Sequence, residues 1–176
     1  MQILKTLLVS ISVLAAADLA IAQDDTPVFS SATVDIGIVV SDIDKSAKFY
    51  TEIIGVTEVK GFSVTGEMGA GIGLTENVGL DIRVFVLGEG GTKLKMMAAP
   101  ETKPVKQDQK FIHSTLGLSY LTLRVNDLDA AVKRAKDAGV KFEGKTPYLL
   151  SGNNYLLTVR DPDGNFIELI GPMKGE

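Results

Sequence analysis

The chain has no cysteine, no tryptophan and a single histidine, His113. Without cysteine there is no disulfide, no thiol nucleophile and no thiolate metal ligand. One histidine excludes a histidine-rich metal centre within one chain. It also leaves a Ser-His-Asp triad a single candidate base, and no G-x-S-x-G elbow accompanies it, so acyl transfer has no support. Positive charge is neither in excess nor clustered: 18 Lys and Arg against 22 Asp and Glu give a net charge of −4. That leaves no electrostatic footprint for a nucleic acid. At 45% apolar and 23% charged, what remains has the composition of one ordinary globular domain.

The one long apolar run stands at the start. Lys5 precedes Thr6 to Ala17, rich in Leu, Val, Ile and Ala, and Ala20-Ile21-Ala22 supplies small residues ahead of the polar Gln23-Asp24-Asp25. This predicts a secretory signal peptide over 1–22, cleaved after Ala22. Asp18 argues against a retained anchor. The expected product is periplasmic or secreted and not membrane-bound after cleavage, with 23–32 as a polar lead-in.

From there the chain writes one unit twice. Val34 to Val40 alternates as a strand, Ser41 or Asp42 can cap a helix over Ile43–Ile54, and Gly55 stops it. The pattern returns as a strand over Tyr120–Val125, a cap at Asn126 or Asp127, and an amphipathic helix Leu128–Ala138 stopped by Gly139. Val40-Ser41-Asp42-Ile43-Asp44 lies over Val125-Asn126-Asp127-Leu128-Asp129. Three strand-like stretches follow each helix. They are 57–65, 80–87 and 93–98 in the first half; in the second they are 140–142 (reaching towards Tyr148), 155–160 and 166–170. The expectation is an α+β domain over 33–172 made of two βαβββ modules, 33–98 and 115–172, joined by a linker over 99–114.

The most distinctive stretch is Arg160-Asp161-Pro162-Asp163-Gly164-Asn165-Phe166-Ile167-Glu168. Asp-Pro-Asp-Gly is a type I turn signal between two apolar runs, hence a hairpin. Glu168 is a lone carboxylate among large apolar residues, costly to bury without a partner. The hairpin and the duplication together resemble the vicinal-oxygen-chelate superfamily of glyoxalases, extradiol dioxygenases and bleomycin-resistance proteins. That resemblance implies paired modules whose mixed sheets curl into a cup with helices outside. It also implies metal ligands from the first and last strand of each module, here Asp35, Lys95, Tyr120 and Glu168, and admits a homodimer.

Strand alternation assigns faces. Ile36, Ile38 and Val40, like Leu121, Leu123 and Val125, should meet the helices. Asp35, Tyr120, Thr122 and Arg124 should line the cup, and by the same reading so should Asp81, Arg83 and Phe85. Only Glu168 matches the family's usual ligands. An ammonium at Lys95 has no lone pair and repels a cation. Lys95 can therefore stand in for the metal charge beside Glu168 and Asp35. Alternatively, Asp35 and Glu168 with Tyr120 can hold a hard divalent cation, or these residues serve only as solvated groups. His113 falls in the linker and matches no ligand position.

The resulting expectation is an exported protein that binds a small organic ligand in the cup, with no cofactor required. Asp35, Tyr120, Arg124, Arg83, Thr122 and Phe85 are its candidate contacts. The alternative is a lyase, isomerase or dioxygenase-like enzyme using a degenerate metal site or Lys95 and Glu168 as acid-base groups. Gly139 to Thr146 spells a P-loop, but a helix precedes it and Pro147 with a strand-like run follows, so the phosphate-binding context is missing. Gly66 to Gly73 reads as a glycine-rich loop, or as a flap carrying Met68, Ile72 and Leu74.

Overall fold

A computed structural model describes residues 28–99 and 101–174, so the signal peptide expected over 1–22 lies outside the described residues. The chain divides into an N-terminal unit, Met1–Ala32, and a compact unit, Thr33–Glu176. Residues 28–32 of the first form no helix or strand.

In the compact unit β1 (Asp35–Val39) leads to α1 (Ile43–Lys48), which continues as a π-helical segment, Phe49–Ile54. Then come β2 (Thr57–Val64), α2 (Gly66–Gly71), β3 (Leu80–Val86) and β4 (Lys93–Ala98). The second module repeats the order with β5 (Tyr120–Arg124), α3 (Leu128–Asp137), β6 (Tyr148–Ser151), β7 (Asn154–Arg160) and β8 (Phe166–Pro172). The strands form two four-stranded sheets ordered β1-β4-β3-β2 and β5-β8-β7-β6, not closed into a barrel. In each sheet the first and last strands of the module run parallel and the other neighbours antiparallel. This is the α+β architecture of paired βαβββ modules expected from the repeat.

The repeat works through the same chemistry in both halves. The carboxylates of Asp42 and Asp127 accept the Lys45 and Ala130 N–H groups at 2.9 Å each, satisfying donors that a first helical turn leaves orphaned. Gly55 ends the first helix at φ +96, where a side chain would be strained. Arg134 on α3 donates to the helix-end carbonyls of Ile53 (3.1 Å) and Ile54 (3.4 Å), so the helical parts of the two modules touch. Phe85, Leu94 and Met96 of the first sheet join Leu157, Val159, Ile167 and Leu169 of the second, with Tyr50 and Leu128, in one apolar core.

Three local expectations are corrected. The first strand after α3 is Tyr148–Ser151, whereas 140–142 supply only an isolated bridge from Phe142 to Val159. Gly144 at φ +60 and Pro147, which has no N–H, delay the strand. Residues 66–71 are a short helix rather than a loop, because Thr65 Oγ1 caps the Met68 N–H at 3.2 Å. The face assigned to Asp81, Arg83 and Phe85 is inverted. Arg83 pairs across with Met96 and Phe85 with Leu94, both in the core, so these three residues share the face that the helices cover.

Candidate functional site

The sheet faces turned away from the helices carry most of the predicted site residues, as two separate pairs. In the first sheet Lys95 lies opposite Gly37, and its ammonium meets Asp35 at 2.8 Å and hangs 5.9 Å from the Phe62 ring centroid. In the second sheet Glu168 holds the equivalent position opposite Thr122, whose Oγ1 donates to its carboxylate at 2.6 Å. Lys95 thus finds Asp35 as expected, while Glu168 takes a hydroxyl instead of the lysine. Arg124 is exposed at the end of β5. Phe85 is fully buried, and Arg83 is held by Glu58 through two contacts of 2.7 Å and by Asp44 at 2.8 Å. Neither Arg83 nor Phe85 faces a ligand on the open sheet surface.

The Asp35 carboxyl is held below the usual aspartate value, chiefly by its hydrogen bond to Lys95. A carboxyl lowered by folding stabilises the fold at pH values above its unfolded pKa. That contribution is lost as the pH falls through the lowered folded value. Lys95→Gln is expected to move the Asp35 titration upwards, towards an ordinary aspartate, in an NMR carboxyl titration. An unmoved midpoint would show that the ion pair does not form in solution.

A different place offers room. A cleft of about 860 Å³ opens between edge strands β1 and β5. Ile36, Ile38, Val39 and Val40 form one wall, Leu118, Tyr120 and Leu121 another, with Phe166 and Pro162 from the second module's hairpin. Linker residues Thr102, Pro104, Val105, Lys106, Gln107 and Gln109 run along it. Of the eight candidate residues, Tyr120 alone lines this cleft.

Three of its lining residues, Tyr50, Asp163 and Asn165, belong to a polar knot that no sequence pattern announces. Tyr50, fully buried, donates its hydroxyl to Asp161 Oδ2 at 3.1 Å. Asp161, also buried, accepts the N–H groups of Asp163 (3.0 Å) and Asn165 (2.8 Å) and the Asn165 amide (2.8 Å). The Asp163 carboxylate takes the Ser41 N–H at 3.1 Å. The Asp-Pro-Asp-Gly turn is therefore built on its own first carboxylate and plugged into the β1–α1 junction of the other module. Burial pushes the Tyr50 phenol well above its ordinary value, with the Asp161 charge adding to it, so the hydroxyl remains a donor. The Tyr50 helical position and the Asp161 turn position were both legible, but their contact across the chain was not.

A divalent cation does not fit the four ligand positions that the family resemblance implies. One is an ammonium, and it already occupies the Asp35 carboxylate. Among the described residues no three His, Cys, Asp or Glu side chains converge.

Comparison with known proteins agrees with the fold. The profile of the Glyoxalase/Bleomycin resistance protein/Dioxygenase superfamily matches residues 33–169. A glyoxalase family protein from Bacillus cereus superposes with a TM-score of 0.70 at 22% identity, covering 86% of this chain and 99% of that one. Glyoxalase I of Leishmania major, described as trypanothione-dependent, gives 0.58 at 22% identity, over 81% of this chain and 87% of its own. TnmS3, an antibiotic binding protein from Streptomyces sp. CB03234, gives 0.53 at 23% identity, over 81% and 96%. No curated protein matches the chain.

Proposed function

The chain belongs to the Glyoxalase/Bleomycin resistance protein/Dioxygenase superfamily, and from that footing we propose that it binds a small organic ligand in the cleft between its two modules, without the metal its relatives often use. The observation that carries this reading is the cleft itself. Its volume of about 860 Å³ lies within the roughly 300–1,000 Å³ of small-molecule sites, and its wall mixes apolar side chains with hydrogen-bonding groups that can orient a ligand. Tyr120, half exposed on the wall, is the contact we assign from the sequence. An antibiotic binding protein among the structural neighbours supports a ligand of that general class.

Lys95 supports the metal-free part of the proposal. Its charge offsets Asp35 at one of the positions where a relative would place a metal ligand, so that carboxylate needs no cation. The test is a small-molecule thermal-shift screen on chelator-treated protein, with hits mapped by NMR. Shifts gathered on Ile36–Ser41 and Leu118–Leu121 would support the assignment. Binding only after metal addition, or on the open sheet faces, would remove it.

We also propose that the protein is exported. The support is the apolar run and small-residue cleavage signal of 1–22. Protein recovered from a bacterial periplasm or medium should begin at Gln23 by N-terminal sequencing. An intact Met1 on all of it would defeat the proposal.

A further inference from the structure

The linker wall of the cleft is built unlike the rest of the molecule. At its start Thr102 turns on Ala99, whose carbonyl accepts the Thr102 N–H at 2.9 Å and Oγ1 at 2.8 Å. From Lys103 to Gln107 the chain makes no hydrogen bond or ion pair among the described residues, and residues 101–108 are all exposed. A segment with so few ties has little local stability of its own. It is fastened at its far end. Arg160 Nη1 donates to the Gln109 carbonyl at 2.5 Å and Nη2 to the Lys110 carbonyl at 3.2 Å.

The Gln109 amide adds a second tie, donating to Asn165 Oδ1 at 2.6 Å. Turned over, it would instead reach the carbonyls of Asp163 (3.2 Å) and Gly164 (3.0 Å). Either way Gln109 is bound to the β7–β8 turn. Arg160 is held rigidly in place. It donates to the Gly164 carbonyl at 2.9 Å, pairs with Glu143 at 3.2 Å and lies over the Phe166 ring, 3.6 Å from its centroid. Gly164 makes the seat. A Cβ there would come within 2.9 Å of Gln109 Oε1 and 3.4 Å of Lys106 Nζ.

We propose that residues 102–109 are a strap across the cleft and that Arg160 is its latch. Release of those carbonyls and of the Gln109 amide lets the strap leave the β7–β8 turn and widens the cleft, and re-forming the bonds narrows it. As a gate for ligand this rests on the binding function proposed above, but the opening itself does not.

The absence of cysteine makes the opening measurable without any ligand. Val40 lines the cleft yet is 2% exposed, and Val84, 5% exposed, does not line it. Single Val40→Cys and Val84→Cys variants should both react slowly with a bulky maleimide. Adding Arg160→Ala is expected to speed labelling at position 40 by on the order of tenfold, given what hydrogen bonds to a charged group contribute. The rate at position 84 should stay unchanged. Arg160→Lys should give a smaller rise, since an ammonium cannot reproduce the guanidinium fork that spans both carbonyls. Gln109→Ala, on the strap itself, should act in the same direction and carries the test if Arg160→Ala fails to fold. No acceleration at position 40, or equal acceleration at both positions, would overturn the proposal. A failed ligand screen would leave these rates untouched, so the two readings fall separately.

Discussion

Asp161→Ala is expected to lower the stability of the fold by about 3–5 kcal/mol, one of the largest effects of any polar substitution in the chain. The buried carboxylate accepts four hydrogen bonds, three from its own turn and one from Tyr50. Its removal unties the turn and leaves the Tyr50 hydroxyl buried without a partner, which alone costs about 1–3 kcal/mol. Tyr50→Phe removes a single donor and should cost about 1 kcal/mol. Urea unfolding monitored by circular dichroism measures both.

The same network predicts an alkaline limit. A phenol whose folded pKa lies above its unfolded value stabilises the fold fully below about pH 10. That contribution is lost as the pH rises from there towards the folded value, and Tyr50→Phe should flatten the alkaline slope. A cost below about 1 kcal/mol for Asp161→Ala would mean that the turn is held by something other than its carboxylate.

Gly37→Leu is expected to abolish ligand binding while leaving the fold intact. Gly37 lies on β1 and lines the cleft. Its φ is not in the left-handed region, and an added Cβ would meet only Met97 Cε at 3.6 Å, an ordinary contact. A Cβ there meets no clash, a side chain favours the strand over glycine, and its bulk narrows the cleft that Gly37 lines. For the wild type, a ligand at 100 times its Kd adds about 2.7 kcal/mol. In a chain of this size that raises Tm by roughly 5–10 °C. Gly37→Leu should show a Tm equal to or above wild type and none of that ligand-induced rise. A full rise in the variant would place the ligand elsewhere.

The modules were legible because their signals are local. Asp42 and Asp127 cap within three residues, Gly55 and Gly139 stop the helices, and apolar alternation in β1 and β5 marks the buried face. The β3 strand defeated the same reasoning. Ile82 and Val84, on the face shared with Lys95, are buried at 8% and 5% exposed, while Arg83 stands on the helix-covered face and is tolerated because Glu58 and Asp44 neutralise it. Apolar side chains are buried on both faces of that strand, so alternation alone could not tell which face meets the helices. The partner of Lys95 was half legible: the two-strand register brings Asp35 to it, but Glu168 sits in the other sheet and Thr122 satisfies it. The cleft was not legible at all. It is made where strand edges, a linker and a turn from distant parts of the sequence meet, and no periodicity encodes that meeting.

The central claim is that an organic ligand binds in the cleft without a metal, and one isotherm tests it most directly. The tightest hit from the screen would be titrated calorimetrically into chelator-treated protein, and again after loading with Mn²⁺, Ni²⁺ or Zn²⁺, with bound metal counted by elemental mass spectrometry. The predicted result is one Kd, the same within about twofold in every preparation, a difference of only about 0.4 kcal/mol. Binding that appears only with one metal bound per chain, and disappears in Glu168→Ala, would contradict the account.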